Sequence, residues 1–253
     1  MTQPLFDSHL HIIDPRFPLV ENQGYLPPAY PTDAYLAAAG PLGVTGGAVV
    51  SGSFQAFDQG YLLAALAALG PGFVGVTQIP PDLPDAEIAT LAAAGVRAVR
   101  FNLKRGGSAG LADLERLARR VHDLAGWHAE FYIDSREIPE IEARLKALPQ
   151  IAVDHLGLSR AGLPALLRLV EAGAKVKATG FSRGDLPIAE TLRQIAAVDP
   201  GALLFGSDLP STRAPRPFRP EDVALLRDAL EPAAAQAALY DNAVALYRPR
   251  SAR

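Results

Sequence analysis

The sequence predicts an α/β fold, a (β/α)8 TIM barrel, on three observations. Eight short apolar segments rich in β-branched residues run through the 253-residue chain, each followed by a stretch with helical patterning. The crossovers are short. The turn after the first segment reads His11-Ile12-Ile13-Asp14-Pro15, not the Gly-x-Gly-x-x-Gly of an open nucleotide-binding sheet, so the eight units are expected to close on themselves. A barrel of this size commonly forms one domain, expected here over residues 1–253.

The opening strand, about residues 5–13, carries Asp7, His9 and His11 at alternate positions. Alternate side chains of a strand share a face, which sets the two imidazoles roughly 7 Å apart at Cβ, close enough to converge on one metal ion or one anionic group. Residues 14–32 hold five prolines with Tyr25 and Tyr30, too irregular for helix or central strand, and read as a loop over the barrel mouth. Thr32-Asp33 can cap a short helix through Ala39. Residues 45–53 form a buried strand ending in Ser51 and Ser53, followed by a helix over 58–69. Strand 73–79, helix 85–94, strand 96–103 and helix 111–125 continue the alternation; Arg100 shares a face with Asn102, and Lys104 and Arg105 lie just beyond.

The second half keeps the rhythm. Strand 128–133 contains Tyr132, helix 136–147 follows, and strand 151–155 ends in Asp154-His155. Helix 161–172, strand 174–179 with Lys177 and Thr179, helix 185–197 and strand 202–207 complete the eight units, and Asp208 stands directly after. Two more helices, 221–230 and 232–246, dock through Tyr240-Asp241-Asn242-Ala243.

Composition narrows the function. A formal charge of −3 provides no global basic field, which disfavours nucleic acid and anionic membrane as partners. No stretch reaches the ~20 apolar residues of a membrane span. Met1-Thr2-Gln3-Pro4 enters the first strand without a basic, then apolar, leader, so a cytoplasmic location is expected. With no cysteine, any metal must be held by His, Asp or Glu. The expected partner is a small molecule, and the protein a monomer or small homo-oligomer.

A barrel of this kind keeps its chemistry at the C-terminal ends of the strands, and all eight ends carry polar residues. Asp7-x-His9-x-His11, Asp154-His155-x-Gly157 and Gly206-Ser207-Asp208-x-Pro210 resemble the motifs of the amidohydrolase superfamily. More narrowly, Val99-Arg100-Phe101-Asn102, Gly126-Trp127-His128 and Val176-Lys177-x-Thr179-Gly180 are similar to the amidohydrolase-related branch that contains 2-pyrone-4,6-dicarboxylate lactonase and sulfomuconolactone hydrolase. The resemblance covers about residues 5–247. It implies a distorted barrel of the amidohydrolase type that hydrolyses a lactone, or a similar ester, in a small anionic molecule.

The resemblance also implies roles. Asp208 matches the strand-eight aspartate that activates the attacking water, although Ser207-Asp208 read alone could cap a turn. His9, His11 and His155 match histidines that either ligate a divalent metal or polarise the carbonyl and stabilise the oxyanion. Where metal-dependent relatives place a further histidine, this chain has Tyr132, and no lysine stands at the strand-four ligand position. The lactonase subgroup has the tyrosine and works without metal, so no cofactor is expected; the other outcome is a single Zn or Mn on His9, His11, His155 and Asp208. Arg100, Lys104, Arg105, Lys177 and Arg183, with Arg213 as a further candidate, are expected to surround the mouth and recognise the anion, joined by Tyr25, Ser51, Ser53 and Tyr132. The branch's arginine directly after Asp-His-x-Gly is Leu158 here, which points to fewer or different anionic groups on the substrate. A metal-dependent decarboxylase or hydratase, and a catalytically silent carboxylate-binding barrel, remain alternative readings.

Overall fold

The computed structural model describes residues 3–250. Met1 and Thr2, half of the segment read above for a leader, lie outside them. Eight parallel strands pair in chain order: β1 (Leu5–Leu10), β2 (Val44–Val50), β3 (Phe73–Thr77), β4 (Val96–Asn102), β5 (His128–Tyr132), β6 (Ile151–Val153), β7 (Lys175–Ala178) and β8 (Leu203–Phe205). After each comes a helix: α1 (Thr32–Ala39), α2 (Gly60–Leu69), α3 (Asp85–Ala94), α4 (Leu114–Ala125), α5 (Ile138–Lys146), α6 (Leu163–Glu171), α7 (Ile188–Val198) and α8 (Pro220–Ala229). The sheet curls until its ends meet. There Asp208 N donates to His9 O at 2.7 Å and His11 N to Leu209 O at 2.8 Å, making a nearly closed (β/α)8 barrel.

The helices belong outside because their apolar residues recur on one stripe. In α4, Leu114, Leu117, Ala118 and Val121 are buried at helical spacing, and Gly126 ends the helix with a φ of +65° that favours glycine. The strands are apolar on both faces: Leu10, Val49, Val99, Phe101 and Phe131 meet the helices, while Phe6, Ala48, Val50, Val74, Val76, Ala98 and Leu204 fill the interior. The chain ends in α9 (Pro232–Gln236), a π-helical turn (Ala237–Asp241) and α10 (Asn242–Tyr247). Asn242 Nδ2 docks this tail by donating to the carbonyls of Pro200 and Leu203, and Leu246 and Tyr247 plug the bottom of the interior cluster.

Several strands stop two or three residues before their expected ends: β1 at Leu10, β2 at Val50, β3 at Thr77, β6 at Val153 and β8 at Phe205. The polar residues that follow leave the ladder and turn across the mouth. His155 and Asp208 do so with left-handed backbone, φ +53° and +62°, uncommon for side-chain-bearing residues and concentrated where sites are built. Among the described residues, no helix is long and apolar enough to cross a membrane.

Candidate active site

His9, His11, His155 and Asp208 meet at the C-terminal end of the barrel, all buried. Asp208 Oδ1 lies 3.9 Å from His9 Nε2 and 3.8 Å from His11 Nε2. The His9 ring stands 4.8 Å from that of His155 and 5.1 Å from that of His11. Burial holds all three imidazoles below their ordinary range, well below for His11 and His155, so they are neutral near pH 7. His11 Nδ1 is 2.8 Å from the Val50 carbonyl. A carbonyl only accepts, so Nδ1 carries the proton and Nε2 turns a lone pair toward Asp208. Toward the site His11 is thus an acceptor, suited to hold a water or a cation, which differs from the expectation that it polarises a substrate carbonyl.

Oδ2 of Asp208 has its own partner. Arg183 Nε donates to it at 2.6 Å, Arg183 Nη2 lies at the same distance, and Nη2 also donates to the Thr212 carbonyl at 2.7 Å. His9 Nε2, His155 Nδ1 and Asp208 Oδ1 are buried without hydrogen-bond partners, and these three residues offer ligand atoms all within 4.8 Å of one another. That donor set fits a single divalent ion. His11, the fourth ligand expected from sequence, is not one of this mutually close group, although its Nε2 lies 3.8 Å from Asp208 Oδ1.

Beneath the histidines lies a sealed layer of charge. Lys177 Nζ pairs with Glu130 Oε2 and lies 3.6 Å from Asp154 Oδ1 and 3.4 Å from His9 Nδ1. Arg100 binds Asp154 Oδ2 through Nε (3.0 Å) and Nη2 (2.8 Å), and donates Nη1 to the Ser51 carbonyl. Glu130 also takes donors from Tyr247 at 2.6 Å and stands 3.0 Å from His128 Nε2. Burial alone would raise both carboxyls; Arg100, His9 and Lys177 hold Asp154 well below the usual range, and Lys177 with His128 does the same for Glu130. Lys177, expected at the mouth, is thus corrected to the barrel interior: its strand position gives the inward face, but it stands at the level of Glu130, one layer below the opening.

Four further expectations shift. Asp7 does not share the face of His9: Phe6 faces the interior, a register irregularity follows Asp7, and its carboxylate turns to Ser207 N (2.8 Å), Ser207 Oγ (2.5 Å) and Tyr35 of α1 (3.0 Å). Ser51 turns its hydroxyl to Tyr61 of α2 at 2.6 Å, leaving only its carbonyl to serve the site through Arg100. Lys104 lies 3.4 Å from Asp134 at the surface and does not line the mouth. Tyr25 sits under the Arg213 guanidinium, 4.4 Å from ring centroid to Cζ, as a wall rather than a direct lining residue.

The mouth itself is an open pocket whose lining includes His11, Ser53, Asn102, Tyr132 and His155. Four guanidiniums reach it, from Arg100, Arg105, Arg183 and Arg213. The loop after β1 folds over it as expected, with Asn22 as hub: its Nδ2 donates to the Arg105 carbonyl, and its Oδ1 accepts from Ser53 and Arg213. Asn22 and Glu130 were not singled out from sequence. For Glu130 a signal existed, since a carboxylate and the lysine of another strand, both mid-strand and inward, have only each other to neutralise them.

Residues 6–248 match the sequence model of a family described as amidohydrolase. The chain is 32% identical to a 2-pyrone-4,6-dicarboxylate hydrolase of Comamonas testosteroni over 161 residues, which is 60% of this chain and 51%, about half, of that one. It is 29% identical to a 4-sulfomuconolactone hydrolase of Rhizobium radiobacter, covering 87% of this chain and 81% of that one. A D-galactarolactone isomerase of Agrobacterium fabrum is 28% identical over 96% of this chain and 90% of its own. A ligand-free crystal structure from Agrobacterium tumefaciens superposes with a TM-score of 0.84 at 25% identity, covering 96% of this chain and 95% of that one.

Proposed function

Because the chain belongs to the amidohydrolase family, we propose that it is a hydrolase that opens a small anionic lactone by attack of water. The enzyme class follows from the family and from its lactone-hydrolysing relatives. The observation that carries the reading is Asp208 Oδ1, buried, free of hydrogen bonds and within 4 Å of the Nε2 atoms of His9 and His11, below a cavity bearing four guanidiniums.

A water between Asp208 Oδ1 and the His11 Nε2 lone pair gives its proton to Asp208 as its oxygen bonds to the lactone carbonyl carbon. His9 and His155, as donors, stabilise the negative charge that gathers on the carbonyl oxygen. Collapse breaks the ring C–O bond, and Asp208 returns the proton to the departing oxygen, leaving a hydroxyl and a carboxylic acid, which then releases its own proton to solvent as a carboxylate. Arginines of the mouth hold the substrate's anionic group.

A second reading is favoured by the convergence of His9, His155 and Asp208. These three residues would hold one divalent ion, which when bound would polarise the carbonyl and acidify the water. Metal content after purification, with activity before and after chelation, decides between the two.

The direct experiment is turnover of carboxylated lactones by the wild type and by Asp208→Asn. Loss of kcat by at least about 10³-fold is expected; wild-type turnover in the variant would sink the assignment.

A further inference from the structure

Asp7 does not line the mouth, yet the backbone on both sides of the site ends on its carboxylate. Its Oδ1 accepts from the amide of His9 at 3.2 Å and from the amide of Ser207 at 2.8 Å. Its Oδ2 accepts from Ser207 Oγ at 2.5 Å and from the Tyr35 hydroxyl at 3.0 Å. Ser207 Oγ in turn accepts from the Leu209 amide at 3.1 Å. One fully buried side chain thus fixes His9 on β1 and the two residues that flank Asp208 after β8. The chain is shaped to allow it. β1 loses register with β2 between Asp7 and Leu10, an irregularity of the kind that re-aims a side chain beside a site. β8 has ended at Phe205, and the Ser207 amide finds its partner in Asp7 instead of a ladder. Asp208 follows at a φ of +62°, a conformation that persists only where the surrounding bonds over-determine it. A carboxylate, with about four lone-pair directions on two oxygens, can accept all four of these donors at once.

We propose that Asp7 is a positioning residue for the hydrolysis. By clamping the backbone of β1 to the segment after β8, it sets the 3.9 and 3.8 Å that separate Asp208 Oδ1 from the Nε2 atoms of His9 and His11. Without the carboxylate, the amides of His9 and Ser207 lose their acceptor in a buried seam, and the chain shifts until they find others. A shift of about 1 Å there misplaces the base against the water that it must hold in line, and costs turnover. It leaves affinity largely intact, because Arg100 and Arg105 of the mouth belong to β4 and the turn after it. The inference rests on the lactonase reading, with Asp208 as its base.

The test is steady-state turnover of a γ-lactone bearing a ring carboxylate, measured well below the melting temperature of each variant. In Asp7→Ala, kcat should fall by on the order of 10²-fold while KM moves by less than about threefold. Asp7→Asn should recover most of that loss: its amide oxygen still takes both backbone amides, and the Ser207 and Tyr35 hydroxyls turn to accept from its NH2 group. Tyr35→Phe removes a donor to the same carboxylate from the side of α1, away from Asp208, and should leave kcat within about twofold. A wild-type kcat in Asp7→Ala would overturn the proposal. So would equal kcat losses in Asp7→Ala and Asp7→Asn, or a Tyr35→Phe loss as large as that of Asp7→Ala, since either would mark a general loosening of the fold. If Asp7→Ala does not fold, Ser207→Ala takes its place: it cuts the hydroxyl link between Asp7 and Leu209 and should lower kcat by on the order of tenfold with KM unchanged, and a wild-type kcat counts against the clamp. Asp208→Asn separates the two readings. Turnover that survives it, or a wild type inert toward the lactone, removes the lactonase reading and this inference together; turnover that it abolishes but that Asp7→Ala leaves intact removes the clamp alone.

Discussion

Replacing Lys177 by Met removes one of two cations that balance Glu130 and Asp154 in the barrel interior. All of these side chains have 3% or less of their surface exposed, so water cannot take over the lost charge. Breaking one member of such a buried set costs about 3–5 kcal/mol. At roughly 2–4 °C per kcal/mol for a chain of this size, the melting temperature should fall by about 6–20 °C. The loss should also depend on pH. Glu130 and Asp154 are held below the ordinary carboxylate range in the folded protein, so their contribution is present above that range and fades as pH falls through their folded values. Without Lys177 they take up protons at higher pH, so the deficit should be largest near pH 8 and shrink toward pH 5. Urea unfolding across that interval measures both. A loss below about 1 kcal/mol, accompanied by a raised KM, would refute the argument, because that is the signature of a solvated residue at the mouth.

Two further predictions concern the seam between β1 and β8. Burial raises the Asp7 carboxyl to about 6 despite hydrogen bonds from Ser207, His9 and Tyr35. A raised carboxyl favours the fold while protonated, so this group's contribution declines as pH climbs from about 4 to 6 and then levels off. Asp7→Asn should remove that decline, matching the wild type at pH 4 and exceeding it near pH 7.5 by up to about 3 kcal/mol; superimposable profiles of urea midpoint against pH would contradict it. A Cβ on Gly206 would meet His9 Cβ at 2.8 Å, His9 N at 2.9 Å and Thr179 Cβ at 3.2 Å. Gly206→Ala should therefore push Asp208 away from the histidines and lower kcat by on the order of 10²-fold, with a smaller stability loss of about 1–3 kcal/mol. A variant with wild-type kcat and a lowered melting temperature would show that the site tolerates the shift.

The barrel was legible because its cause is local. An apolar β-branched run such as Val96–Asn102, buried on both faces, must be a strand between layers, and the stripe of Leu114, Leu117 and Val121 must be a helix against it. Arg100 was rightly set on one face with Asn102, since parity is a property of the single strand, whereas the depth of Lys177 is not. Strand ends were not legible, because whether Ser51 or His155 continues a ladder depends on a neighbour that the local pattern does not name.

By itself, then, the sequence determined the eight units, their order and the side chains aimed at one end, all of which follow from periodicity along the chain. Only the tertiary structure decided depth and partnership. It set Lys177 one layer below the mouth because Glu130, 47 residues away, stands there to neutralise it. It turned Asp7 to Tyr35, tied His11 Nδ1 to Val50 and seated Arg183 on Asp208. Each is a choice between partners distant in sequence, made by burial, where a charge or hydrogen bond left unmatched costs more than the chain's local preferences can supply.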